Sequence, residues 1–174
     1  MRRLLLLRHA KAVQDSGEGD PARRLTGRGR DDAALMGRAM NMRGYLPDLA
    51  LCSPSRRTAE TWELLSPELD GVREIKFVKG LYLASPKAII SIVQNAPASA
   101  KTLLLIGHNP GMEECASRLA REAASRAEAK KLKDMREKFP TCALAVLDFE
   151  AKLWREVEGG GIMLEFIRPR DLKS

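Results

Sequence analysis

Apolar positions along the chain fall into two patterns: short unbroken runs, and longer stretches with helical spacing. Leu4 to Leu7 is an unbroken run of four and reads as a short buried strand. A turn-rich loop follows from Gly17 to Pro21. Thr26 is a suitable N-cap for a helix that runs to about Arg43 and stops at Gly44, with Leu35, Met36, Ala39 and Met40 at helical spacing as core filling. "DLALCSP" reads as a second strand ended by Ser53-Pro54, "SRRTAETWELL" as a helix, and "REIKFV" alternates as a third strand. In "SPKAIISIVQN", Ser85 is the N-cap and Pro86 sits at N1, leaving Ile89, Ile90 and Val93 as the buried face. "TLLLIG" is the most apolar strand and is expected at the centre of the sheet. One long helix is expected from Gly111 to about Phe139, its second half strongly charged and solvated. "CALAVLDF" and "MLEFI" read as two late strands flanking "WREVEGGG", whose consecutive glycines suggest a flexible turn. Strands alternating with helices imply an α/β fold.

Three of the apolar strands end in a polar cluster. The first delivers Arg8-His9, the second Ser53 with Arg56 and Arg57, and "TLLLIG" delivers Gly107-His108-Asn109. In open α/β sheets ligands bind beyond the carboxyl ends of the strands. If these strands are parallel neighbours, both histidines of the chain and two or three guanidiniums meet at one edge, with a helix N-terminus after His108. That set suits a tetrahedral, multiply charged anion. Arg57 is the better ligand of the arginine pair, because neighbouring helix positions point about 100° apart and only one faces a given pocket. Asn109 either contacts the anion or turns the chain. A cysteine-phosphatase route is unfavourable: Cys52 and Arg57 are separated by four residues where that chemistry uses five, and Cys52 sits inside an apolar strand.

Composition narrows the partners. The 174 residues suffice for one domain with a sizeable core, expected to span 1–174. A net charge of +7 favours anionic partners. Eight aromatics, none in a nucleic-acid motif, argue against nucleic acid. No apolar run approaches a membrane span, and Leu4 to Leu7 is too short for a signal-peptide core, so a cytoplasmic protein is expected with no membrane partner. Three widely spaced cysteines do not make a disulfide framework. No carboxylates cluster near the two histidines, so a metal site is not expected.

"LLLLRHA", "SPSRRTAET" and "LIGHNPG" resemble the motifs of the histidine phosphatase superfamily, the phosphoglycerate-mutase-like fold. Ala10 stands where the usual Arg-His-Gly motif has glycine, and Ser53, Arg57 and Thr61 match a Ser-x-x-x-Arg-x-x-x-Thr pattern. "RRLTGRG", "GLYLASP", "GHNPGMEE" and "FPTCALAVLDF" resemble the SixA-type phosphohistidine phosphatases. The resemblance implies a three-layer α/β/α sandwich with a mostly parallel sheet. It implies His9 as nucleophile, with Arg8, Arg57 and a protonated His108 around the phosphoryl group; Asn109, from its place beside His108, is a further substrate-binding candidate. It implies neither a metal nor an organic cofactor. The expected substrate is a phosphorylated protein of the histidine-phosphotransfer type. The alternatives are a small phosphoester and, less favoured, phosphate binding without turnover. Ester-cleaving members usually carry a Glu-Gly pair after the second motif. Here the only carboxylate in "VREIKFVKGLYLAS" is Glu74, expected to point outward from a strand. Lys11, Arg23 and Arg24 are candidates for a basic rim.

Overall fold

A computed structural model describes residues 1–71 and 74–173. Six strands form one sheet in the order β3-β2-β4-β1-β5-β6. They are β1 (Arg2–Arg8), β2 (Leu49–Cys52), β3 (Glu74–Phe77), β4 (Thr102–Gly107), β5 (Leu144–Phe149) and β6 (Ile162–Ile167). The pairs β1–β4, β4–β2 and β2–β3 are parallel; β5 and β6 extend the sheet antiparallel beyond β1. The helices are α1 (Gly27–Arg43), α2 (Arg56–Leu65), α3 (Pro86–Gln94), α4 (Gly111–Leu119), α5 (Arg126–Glu137) and the single turn α6 (Pro169–Leu172).

The unbroken leucine run follows from this layering. Alternate residues of a strand face opposite sides. Leu4 and Leu6 pack with α3, α4 and α5, while Leu5 and Leu7 pack with α1 and α2. All four are fully buried, and each such side chain stabilises the fold by roughly 2 kcal/mol. β4 divides the same way and lies third of six, at the centre as expected. β3 is the edge strand and is mostly exposed, so its alternation is that of a half-wet surface. Arg73, the first residue of the expected third strand, lies outside the described residues.

Hydroxyl caps fix the helix starts. Thr26, Ser55 and Ser85 each accept from the N–H three residues on, and Gly44 ends α1 in the left-handed region at φ 72°.

Two expectations fail in the C-terminal half. The helix from Gly111 does not continue to Phe139 but stops at Leu119. Ala120 turns extended and bridges Gly161, the Arg121 N–H donates to the Gly161 carbonyl, and the Gly161 N–H donates to that of Leu119. α5 then restarts at Ser125, whose Oγ accepts from the Glu128 N–H while the Glu128 carboxylate accepts from Ala124. A strand-like contact from across the molecule thus outcompetes helix continuation. It requires glycine at 161, where a Cβ would lie 2.7 Å from the Phe149 ring. The "WREVEGGG" stretch is also more ordered than a flexible turn. Trp154–Gly159 is a 3-10 helix anchored by the buried Trp154, whose indole N–H donates to the Ala100 carbonyl.

Candidate active site

The parallel register brings the three polar clusters to one edge. Arg8 pairs with Gly107 and Cys52 with Ile106, so His9, His108 and Ser53 all begin one residue beyond the sheet. The His9 N–H donates to the Gly107 carbonyl and the Ser53 N–H to the Ile106 carbonyl, extending the ladder by one step on each side. The two imidazoles lie 5.4 Å apart between ring centroids. α2 delivers Arg57 from its first turn.

The second motif holds the other two in place. The Ser53 hydroxyl lies 2.8 Å from His108 Nε2. Thr61, one turn beyond Arg57, accepts from the Ala10 N–H at 3.0 Å and donates to the Arg57 carbonyl at 2.7 Å, tying the first motif to α2. α4 starts directly after His108 because Gly111 lets it approach the loop before α3; a Cβ there would sit 2.0 Å from the Ala84 carbonyl oxygen.

Hydrogen bonds fix both imidazole tautomers. His9 Nδ1 lies 2.7 Å from the Ala10 carbonyl, which can only accept, so Nδ1 carries the proton and Nε2 keeps its lone pair. The Arg57 Nη2–H group donates to His108 Nδ1 at 3.3 Å, so His108 carries its proton on Nε2 and donates it to Ser53. Burial pushes His9 down to about 3, helped by His108, Arg57 and Arg8. Burial and Arg57 bring His108 down to about 4. Among its protein neighbours alone His108 is therefore neutral, where the resemblance implied an imidazolium.

This has a measurable consequence. An unfolded chain takes up protons on both histidines as pH falls through 6.5, whereas the folded chain resists until about 4 and below. Stability is fully present above 6.5 and declines as pH drops toward 4. The urea midpoint should be lower at pH 5 than at pH 7.5, and a His9→Gln/His108→Gln variant should flatten that difference. An unchanged midpoint in the wild type would contradict the buried neutral pair.

Arg57 is only 2% exposed. Besides His108 it donates to the Asp20 carbonyl at 2.8 Å and to Asp20 Oδ2 at 3.1 Å. Arg8 donates from Nη1 to the Phe139 carbonyl. The Nε–H groups of Arg8 and Arg57 are buried and have no acceptor among the described residues. Buried donors of this kind are normally satisfied, so both guanidiniums keep unused donor capacity. Arg8, His9, Arg57 and His108 line a cavity of about 500 Å³.

The remaining expected residues divide. Asn109 lines the cavity, but its amide donates to the Phe139 carbonyl and its Oδ1 caps the Glu113 N–H of α4. That helix N-terminus is thus capped internally. Arg56 points away and pairs with Glu60 at 3.4 Å. Glu74 is exposed on β3. Lys11 and Arg23 reach the rim, while Arg24 does not line the cavity.

Sequence reading missed Asp20 and Tyr82. Asp20 lies in the turn-rich loop, yet its carboxylate accepts from Arg23, Arg57 and the Tyr82 hydroxyl. These donors, Tyr82 foremost, hold it well below the usual carboxylate range. Arg28 and Lys138 also reach the rim unannounced. Only "GLYLASP" carried a signal for Tyr82, and it gave no role.

Known proteins share this fold. The profile of the histidine phosphatase superfamily (branch 1) matches residues 4–82, which include the first two clusters. An uncharacterised protein of Mycobacterium tuberculosis is 32% identical over 154 residues, covering 88% of this chain and 93% of the relative. A structure from Nakamurella multipartitia, described as a candidate phosphohistidine phosphatase SixA, superposes with a TM-score of 0.81 at 27% identity, covering 97% of this chain and 96% of that one. One from Agrobacterium tumefaciens with the same description gives 0.79 at 28%, covering 97% and 99%. A histidine set fixed at one sheet edge, the matching profile and these superpositions agree: the chain belongs to the histidine phosphatase superfamily and is SixA-like.

Proposed function

We propose that the protein hydrolyses phosphohistidine on proteins through a phosphoryl group carried transiently on His9. The observation that carries this reading is the state of His9: neutral, its Nδ1–H anchored on Ala10, its Nε2 lone pair left free among guanidiniums. Nε2 attacks phosphorus and forms a P–N bond as the P–N bond to the substrate imidazole breaks; the departing nitrogen gains a proton. Water then attacks the phosphoryl group on His9, gives up its proton, and releases phosphate with Nε2 restored. Arg8 and Arg57 balance the equatorial oxygens in both steps. A bound phosphoryl dianion reverses the sign of the local field; as the Arg57 Nη2–H turns from His108 to a phosphoryl oxygen, Nδ1 is freed to take a proton and become a third donor.

Two features favour phosphohistidine over alkyl esters. The first is proton supply. An alkoxide leaving group wants an acid, and general acid catalysis typically supplies ~10²–10⁴-fold. Glu74 is exposed on the edge strand, and Asp20 is held ionised by three donors, so neither offers a proton near neutral pH. An imidazole is a far less basic leaving group. The second is access. Apart from residues 72 and 73, the chain from α2 to β4 forms β3, α3 and short 3-10 turns, and it brings to the site only Leu83 at the cavity wall and Tyr82 against Asp20 and His108. The SixA descriptions of the two superposed structures point the same way.

The test compares kcat/KM for a phosphohistidine-bearing protein with a panel of sugar phosphates under one condition. The phosphohistidine protein should be the best substrate. Faster turnover of any alkyl ester would move the assignment to a small-molecule phosphomonoesterase, and no turnover even of an aryl phosphate would leave a phosphate-binding module.

A further inference from the structure

We propose that a second anion-binding cleft opens off the catalytic cavity and receives a carboxylate-rich segment of the protein that carries the phosphohistidine, an inference that rests on the phosphohistidine reading. The cleft has a volume of about 180 Å³ and gathers cations from three distant stretches: Arg28 at the start of α1, Lys138 just after α5, and Arg168 and Arg170 near the C-terminus. Pro140 and Pro169 give it stiff walls. Arg28, Lys138, Pro140 and Thr141 line both this cleft and the catalytic cavity, so the two are one continuous surface. The segment between them also holds the site, since the Phe139 carbonyl accepts from both Arg8 and Asn109.

Part of the positive charge in this cleft is left without a direct ion pair. Arg168 is taken by Asp171, which accepts from its Nε at 2.9 Å and its Nη2 at 3.0 Å. Arg28 shares Asp32 with Lys173, at 3.7 and 2.7 Å. Lys138 and Arg170, with Lys11 on the adjoining lip of the catalytic cavity, have no carboxylate within 4.0 Å among the described residues. Contrast α5, where Lys130 and Lys133 are each paired one turn on, with Asp134 and Glu137. Three cations without a direct ion pair, one of them within electrostatic range of Asp171, thus line one continuous concave surface that includes the reactive imidazole. Among the described residues no Phe, Tyr or Trp lines either cavity, so the extended ring faces on which nucleic-acid bases stack are missing there. The complement is a set of carboxylates presented a short distance from the phosphoryl group. Such complementarity raises encounter rates and fixes register more than it adds raw affinity.

The experiment uses hexaglutamate as a competitor of aryl phosphate hydrolysis at low ionic strength. It compares the wild type with Lys138→Glu/Arg170→Glu and with Lys130→Glu/Lys133→Glu, which changes net charge equally but lies outside the cleft. Hexaglutamate should inhibit the wild type and the α5 variant alike, and its inhibition constant should rise roughly tenfold in the cleft variant, as expected for reversing two exposed ion pairs. KM for the phosphohistidine protein should rise by a similar factor in the cleft variant alone. Absence of inhibition, equal weakening in both variants, or tighter competition by a single-stranded oligonucleotide of equal charge would overturn the cleft. Because the hexaglutamate measurement uses an aryl phosphate, it stands or falls separately. If sugar phosphates outpace phosphohistidine while the hexaglutamate result holds, the substrate reading fails and the cleft remains.

Discussion

Replacing His9 with alanine should reduce turnover by roughly 10⁴-fold or more if it is the proposed nucleophile, since that loss removes the path and not merely a contact. The reason lies in how His9 is held. Its Nδ1–H is anchored on the Ala10 carbonyl, leaving Nε2 as the only nitrogen able to attack, and burial keeps the ring neutral at any working pH. Quenching wild-type protein with labelled substrate should place phosphate on His9 as an acid-labile, base-stable adduct, and the alanine variant should carry none. Competing nucleophiles are disfavoured by their surroundings: Cys52 is fully buried within β2, and burial pushes its thiol up to about 12. Label recovered on Cys52 or on a serine would end this mechanism. The substitution removes little packing, so an unchanged circular dichroism spectrum should accompany the loss.

The second large effect separates two adjacent arginines. Arg57→Ala should lower kcat/KM by roughly 100-fold or more, comparable to losing a preorganised donor to a developing negative charge, about 3 kcal/mol. Arg57 is 2% exposed and donates to Asp20 and His108, so its removal also strips the partners that orient those groups. Arg56→Ala should change the barrier by less than about 1 kcal/mol, because its side chain is more than half exposed and pairs with Glu60 on the outer face of α2. Arg57→Lys should restore only part of the activity, since an ammonium lacks the planar fork. Rate constants on an aryl phosphate decide this; the reverse ranking of Arg56 and Arg57 would show that α2 presents a different face.

Features governed by local periodicity were legible beforehand. The leucine run of β1 and the apolar run of β4 read directly as doubly buried strands. Thr26 and Ser85 read as caps because a hydroxyl at N-cap satisfies an N–H only three residues away. The choice of Arg57 over Arg56 is the same kind of inference, a rotation of about 100° per residue. Where local signals competed, reading failed. From Gly111 to Phe139 helical spacing outweighed Ser125 and Glu128, whose reciprocal cap marks a fresh start, and nothing nearby announced that Ala120 would bridge Gly161. Asp20 looked like one more turn residue, and Tyr82 like one more loop aromatic.

By itself, then, the sequence determined the strands, most of the helices, and the delivery of Arg8, His9, Arg57 and His108 to strand ends or to a helix start just beyond. Those outcomes depend on contacts within about four residues, where spacing and side-chain type suffice. The tertiary structure decided that β2, β4 and β1 are parallel neighbours, and so that the three clusters meet. It also decided which nitrogen of each imidazole carries the proton, that Asp20 reaches Arg57 and Tyr82, and that Lys138 and Arg170 share a cleft beside His9. Asp20 is 37 residues from Arg57 and 62 from Tyr82 in the chain. Contacts at that range are set by how the sheet orders its strands and where the loops between them close, and no local pattern of polar and apolar residues encodes them.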